Sequence, residues 1–179
     1  MLGKQYGALE WAVNEMENRY QMFAEKNVSD IAEYNLLLER EGTEEILPKI
    51  VVIVDELANL MIIAKKDVEV AICRLAEKGI TVGMYLIITT QRASADVITG
   101  VVKANMTSRI SFAVTSQEES RMILNQSGAE KLLGKGDMLY NSVGAMKPIR
   151  VQGAYISNKE IENIVKFLKE DGGAVYNKM

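Results

Sequence analysis

The chain has no histidine, one cysteine (Cys73) and two prolines (Pro48 and Pro148) in 179 residues. Without histidine the commonest general base and metal ligand near neutral pH is missing, which sets aside zinc sites and Ser-His or Cys-His catalysis. A lone cysteine forms no internal disulfide and points to a reducing, cytoplasmic setting. Two prolines leave most of the chain open to regular structure. No apolar run approaches the roughly 18 residues of a membrane span, and no signal-peptide pattern is present. Positive charge is not in excess: 21 Lys and Arg face 24 Asp and Glu, for a net charge of −3 and a pI near 5.2. That argues against a general nucleic-acid binder, though a local basic patch stays possible. A hydrophobic fraction of 48% with 25% charged residues is ordinary for a globular domain, and the length suits one domain with a sizeable core.

What is present alternates between two periodicities. In "ALEWAVNEMENRYQMFAEK", Leu9, Val13, Met16, Tyr20 and Phe23 recur every three or four residues and predict a helix with one apolar face. "VSDIAEYNLLLER" predicts a second helix, capped by Ser29 or Asp30. "KIVVIV" is continuous, apolar and β-branched, the pattern of a strand buried on both faces. "DVEVAICRLAEKG" is helical with Gly79 as its stop, "MYLIITT" is a second buried strand, "DVITGVVKANM" a short helix or turn, and "RISFAVT" a third strand. Ser116-x-x-Glu119 and Ser157-x-x-Glu160 are capping boxes that open two further helices. The second of these carries a stripe of Ile161, Ile164, Val165 and Leu168. "GDMLYN" and "KPIRVQGAYI" are strands joined by the turn "SVGA". The order predicts an α/β fold with a mostly parallel sheet covered on both faces and an antiparallel edge near the C-terminus. Residues 1–7 and 171–179 are expected to be loosely ordered tails. Cys73 and Trp11 lie within helices and are expected to be packing residues.

In open α/β sheets, ligands sit at the carboxyl ends of strands. "KIVVIVDELANLM" ends such a strand on Asp55 and Glu56. Apolar residues followed by Asp-Glu form the Walker B pattern of P-loop ATPases. There the first carboxylate holds Mg²⁺ through its water shell and the second polarises the attacking water. The plain alternative is a pair of solvated acids that cap the next helix. "LIITTQR" ends the next strand on Thr89, Thr90, Gln91 and Arg92. Polar residues leaving a strand beside Walker B can sense a γ-phosphate; Gln91 can orient the water and Arg92 can face a polyanion.

"IVVIVDELANLM", "LIITTQRASADVITGVVKANMTSRISFAV" and "SGAEKLLGKGDMLY" together closely resemble the motor domain of FtsK/SpoIIIE-type DNA translocases. "ALEWAVNEMENRY" and "VSDIAEYN" look like the helices before Walker B in that family, and "KPIRVQGAYIS" like its closing strands. The resemblance spans residues 8–170 and implies a partial RecA-like P-loop ATPase core. It also implies a parent that forms a hexameric ring and uses ATP and Mg²⁺ to drive double-stranded DNA through a central pore in chromosome partition or DNA transfer. By this resemblance Asp55 and Glu56 are the Walker B pair, Gln91 is the polar sensor, and Asp55 and Thr90 meet the nucleotide and its metal. Arg92, Lys103 and Arg121 fall where the family places pore-loop cations, whose phosphate contacts are indifferent to sequence. Arg109 is a candidate contact to a neighbouring subunit.

The chain departs from the family pattern in two places. The phosphate-binding loop G-x-x-x-x-G-K-[ST] is absent from the sequence. "GAEKLLGKGD" comes nearest, but its glycine spacing is one too long and Gly136 stands where a Ser or Thr is needed. The chain therefore reads as the C-terminal, Walker B-containing half of a motor core, expected to be nearly inactive alone and to cover an open sheet edge by self-association. Second, "GITVG" puts Ile80 where the family carries an arginine that acts in trans on the adjacent subunit. Tyr85 and Ala93 replace a family His and Pro. Two other readings stay open at this level: an inactive adapter built on the motor fold, and a related motor for protein secretion.

Overall fold

The computed structural model describes residues 2–43, 46–170 and 172. The tail expected at 171–179 lies outside the described residues apart from Gly172. The chain divides between Thr107 and Ser108 into two compact units.

The first unit opens with α1 (Leu2–Lys26) and α2 (Ile31–Arg40). The expected stripe holds: Leu9, Val13, Met16 and Phe23 are buried, and the Phe23 ring lies 5.1 Å from the buried Tyr34 ring of α2. Asp30, not Ser29, caps α2, accepting from the amides of Ala32 and Glu33. β1 (Ile50–Val54) and β2 (Met84–Ile88) pair in parallel, joined by the crossover helix α3 (Leu57–Lys78). Helix α3 starts directly after Glu56, well before the segment that periodicity marked, and bends at Ala64, whose backbone leaves the helical region. Gly79 ends it as expected. A short 3₁₀ turn at Ile80–Val82 then enters β2 through Gly83. Gly83 has φ +76°, a left-handed conformation that strains any side chain, and a Cβ there would also press on Ile31 Cδ1 at 2.4 Å. The unit ends in α4 (Gly100–Asn105), capped by Thr99.

Continuous apolar character in β1 and β2 led to an expectation of burial on both faces. One face is buried. The register pairs Val52 with Leu86 and Val54 with Ile88 on the side packed by the core. On the other side Val51, Ile53, Tyr85 and Ile87 are exposed. A strand's side chains alternate, and the described helices of this unit supply a cover for one side only.

The second unit holds β3 (Arg109–Phe112), α5 (Gln117–Leu124), β4 (Asp137–Asn141), β5 (Ile149–Gln152) and α6 (Asn158–Glu170). β3 was expected to extend a parallel sheet. It pairs instead with β4, antiparallel, in a sheet ordered β3-β4-β5 that is separate from the parallel pair. The fold is thus mixed α/β, with a two-stranded parallel sheet and a three-stranded antiparallel one. Both capping boxes form. Ser157 and Glu160 exchange the two reciprocal bonds, whereas Glu119 reaches one residue further back, to the Thr115 amide.

Candidate functional site

The site is built where β1 and β2 end. The Thr89 amide donates to Val54 O at 2.8 Å and the Leu57 amide to Thr89 O at 2.9 Å, so the two strand exits are tied side by side. The Thr89 hydroxyl adds a short hydrogen bond to the Asp55 carbonyl. Asp55 and Glu56 emerge from β1, and Thr90, Gln91 and Arg92 from β2, within one small region. A cleft of about 290 Å³ opens against it, lined by Ala8 and Leu9 of α1 and by Val54, Asp55, Glu56 and Asn59.

The two carboxylates have different surroundings. Asp55 is exposed, and its carboxylate makes no hydrogen bond among the described residues. Glu56 is half-buried and is the N-cap of α3. Its Oε1 accepts from the Thr90 hydroxyl at 2.5 Å and the Ala58 amide at 3.2 Å, and its Oε2 accepts from the Gln91 amide at 2.9 Å. Burial by itself raises the Glu56 carboxyl pKa. The hydrogen bonds from Thr90, Gln91 and Ala58, with the nearby Arg92 charge, outweigh burial and hold it below the usual glutamate range. Glu56 is therefore an anion anchored at a helix N-terminus, where the backbone dipoles also favour it. The capping role that the sequence offered as the plain alternative is real, and it coexists with the site.

The remaining expected residues are divided. The Gln91 side chain is exposed and makes no hydrogen bond among the described residues. Arg92 is exposed and its guanidinium donates to Asp96 at 3.1 Å. Lys103 is half-buried in the last turn of α4. Arg121 lies in the second unit, exposed on α5, and donates to Gln117 at 3.4 Å. Arg109, also in the second unit, donates to the Ile123 carbonyl at 3.4 Å, and burial lowers its guanidinium pKa. Ile80 is 66% exposed in the 3₁₀ turn. "GKG" at 134–136 carries three consecutive left-handed residues into β4, and a Cβ on Gly136 would meet Gly153 O at 2.9 Å. A loop that feeds a strand offers no helix N-terminus for a phosphate, so it is not a displaced phosphate-binding loop.

Sequence reasoning missed two supporting residues. Arg19 is 2% exposed and donates to the carbonyls of Pro48 and Val82, both at 2.9 Å, and to Glu15 at 2.8 Å. It thus clamps α1 to the entrances of β1 and β2. The signal was present: position 19 falls on the apolar stripe, three after Met16 and four before Phe23. Thr99 donates to Glu69 of α3 at 2.5 Å while capping α4, a link that only the fold reveals.

Paired carboxylates at one strand end, with polar residues at the end of the parallel neighbour, define the P-loop ATPase class of α/β domain. Solved structures agree. The chain matches the pCW3 conjugation coupling protein TcpA, monomer form with ATPgS, at TM-score 0.78 and 27% identity, covering 94% of this chain and 50% of that one. It matches the cytoplasmic domain of the Thermomonospora curvata Type VII secretion ATPase EccC at TM-score 0.77 and 19% identity, over 98% of this chain and 20% of that one, a likeness of fold alone. The FtsK/SpoIIIE family model matches residues 3–95, and the chain belongs to that family. It is 58% identical over 168 residues to the DNA translocase FtsK of Clostridium acetobutylicum, covering 94% of this chain and 22% of the relative. It is 55% identical over 163 residues to the DNA translocase SpoIIIE of Bacillus subtilis, covering 88% and 21%. The chain therefore spans about a fifth of the length of the curated relatives it matches. No described helix is long and apolar enough to cross a membrane.

Proposed function

We propose that this chain is the Walker B-bearing part of an ATP-driven translocase that moves along double-stranded DNA. The observation that carries the reading is the division of labour between its two carboxylates: Asp55 is exposed and its carboxylate has no partner among the described residues, next to Glu56 at the mouth of a cleft. An open carboxylate beside an anchored one suits a site in which the first takes up a hydrated cation and the second acts on water. The exposed Asp55 carboxylate fits Mg²⁺ held through its water shell, since Mg²⁺ keeps several waters and is bound by one or two carboxylates. ATP·Mg²⁺, when bound, supplies the transferable phosphoryl group. Glu56 polarises the attacking water, Gln91 orients it, and Arg92, Lys103 and Arg121 meet DNA phosphates. Arg109 faces a neighbouring subunit in a hexameric ring. The higher identity to DNA translocases than to the secretion ATPase, 58% against 19%, supports DNA as the cargo.

The sequence contains no G-x-x-x-x-G-K-[ST] loop, so the chain by itself is expected to hydrolyse almost nothing. The test grafts it in place of the matching 168 residues of the Clostridium acetobutylicum relative and measures ATP hydrolysis with and without duplex DNA. DNA-stimulated turnover that falls by about 100-fold or more on Glu56→Gln is the expected result. Turnover indifferent to Glu56→Gln overturns the assignment. A graft that binds DNA without turnover means that Ile80 marks a loss of catalysis and that the protein binds rather than pumps.

A further inference from the structure

By the family resemblance Thr90 meets the nucleotide. Its hydroxyl has one proton, and that proton is committed to Glu56 Oε1 at 2.5 Å. The Thr90 hydroxyl oxygen in turn accepts from the Arg92 amide at 3.1 Å. A continuous relay therefore runs from the Arg92 backbone, through the Thr90 hydroxyl, to the Glu56 carboxylate. The Gln91 amide between them holds the other carboxylate oxygen at 2.9 Å. With Ala58 also donating to Oε1, that oxygen has two donors and little capacity left to receive a proton from water. Arg92 lies in the same segment, its guanidinium paired with exposed Asp96, a pair that a DNA phosphate can replace.

We propose that Thr90 is a positioning residue whose hydroxyl latches the Glu56 carboxylate back onto the first turn of α3, and that engagement of Arg92 by a DNA phosphate shifts the 90–92 turn and releases it. The site is then held idle off DNA and freed on it. This rests on the reading above, that Glu56 acts on water and Arg92 meets DNA, and it adds how the one is told of the other.

The latch is tested on this chain without nucleotide, by amide hydrogen exchange at Gln91 and Ala58. Thr90→Val is expected to speed Gln91 exchange about tenfold or more, as fits the loss of a charge-assisted hydrogen bond, while Thr90→Ser keeps the wild-type rate. Unchanged exchange in Thr90→Val overturns the latch. Titration with a duplex DNA is expected to move the Arg92 resonances and deprotect the Gln91 amide together. Arg92 resonances that move while Gln91 stays protected overturn the coupling. Arg92 resonances that do not move at all overturn both the trigger and the assignment of Arg92 to DNA, while the Thr90→Val result still decides the latch. In the graft, Thr90→Val is expected to raise hydrolysis without DNA and narrow the stimulation. An equal fall with and without DNA overturns the proposal, because Thr90 would then serve the reaction directly.

Discussion

The two units of the chain are held together by different physics. In the first, Leu9, Met16, Leu57, Val68, Ile72, Val82 and Met84 are all nearly inaccessible to water and form one cluster. Burial of that kind is non-directional and roughly proportional to area. In the second, the buried apolar side chains among the described residues are Leu124 and Ala129, and the buried polar ones are Ser111, Ser120 and Asp137. Its order comes from directed bonds. Arg150 grips Asp137 with two bonds at 2.8 and 2.6 Å, the Leu133 amide donates to the same carboxylate, and Ser120 bridges Gln126 and Ala129. Its sheet leaves Ile110, Phe112 and Ile149 exposed, and the stripe of α6 is exposed as well. A crossover unit with parallel strands must gather distant segments and needs a core to do so, whereas an antiparallel hairpin is closed locally by its own ladder. The Asp55–Glu56 pair sits in the unit that holds the core.

Three measurements sharpen or break this contrast, beginning with the largest effect. Ile72→Ala deletes a fully buried side chain of α3 and is expected to cost the first unit about 3 kcal/mol. Trp11, the one tryptophan, lies in α1 and reports that unit by fluorescence during denaturant unfolding. A loss below about 1 kcal/mol would mean that the core is looser than its burial implies. Next, Asp137→Asn is expected to weaken the second unit at neutral pH and not in strong acid. The Arg150 side chain, then the Leu133 amide, bring the Asp137 carboxyl from its ordinary 3.8 down to about 2. A lowered folded-state value stabilises above the ordinary one and loses that contribution as pH falls through about 2. Exchange of the β4 amides with pH checks this, and a difference between wild type and variant that persists below pH 2 would break it. Smallest, Ile164→Ser on the exposed face of α6 is expected to change the stability of the chain by less than about 0.5 kcal/mol. A larger loss in unfolding of the isolated chain would show that α6 is covered in solution.

Much of this was legible beforehand, because much of it is local. The α1 stripe, a cap at Ser29 or Asp30, the Ser157 box, the Gly79 stop and the β4–β5 hairpin each follow from spacing within a few residues. The Asp55–Glu56 pair at a strand end could be read the same way, while the family came from a resemblance of several motifs across residues 8–170. Several features could not. β3 had the composition of either a parallel or an antiparallel strand, and only its partner decides which. The apolar runs of β1 and β2 indicated what both faces would tolerate, not what covers them. Arg19 falls on the apolar stripe of α1, but only the fold shows that its guanidinium meets two backbone carbonyls from elsewhere in the chain.

The sequence by itself thus determined most of the segments that become helix or strand, and that two carboxylates leave a strand together. These depend on backbone and side-chain preferences acting over one or two turns. The tertiary structure alone decided that the two carboxylates are not equivalent. Glu56 is bound by a threonine 34 residues away, while the Asp55 carboxylate beside it makes no hydrogen bond among the described residues. No local periodicity encodes which strand lies next to which. That adjacency brings Thr90 and Gln91 to Glu56, and it turns a pair of like charges into an anchored group and an open one.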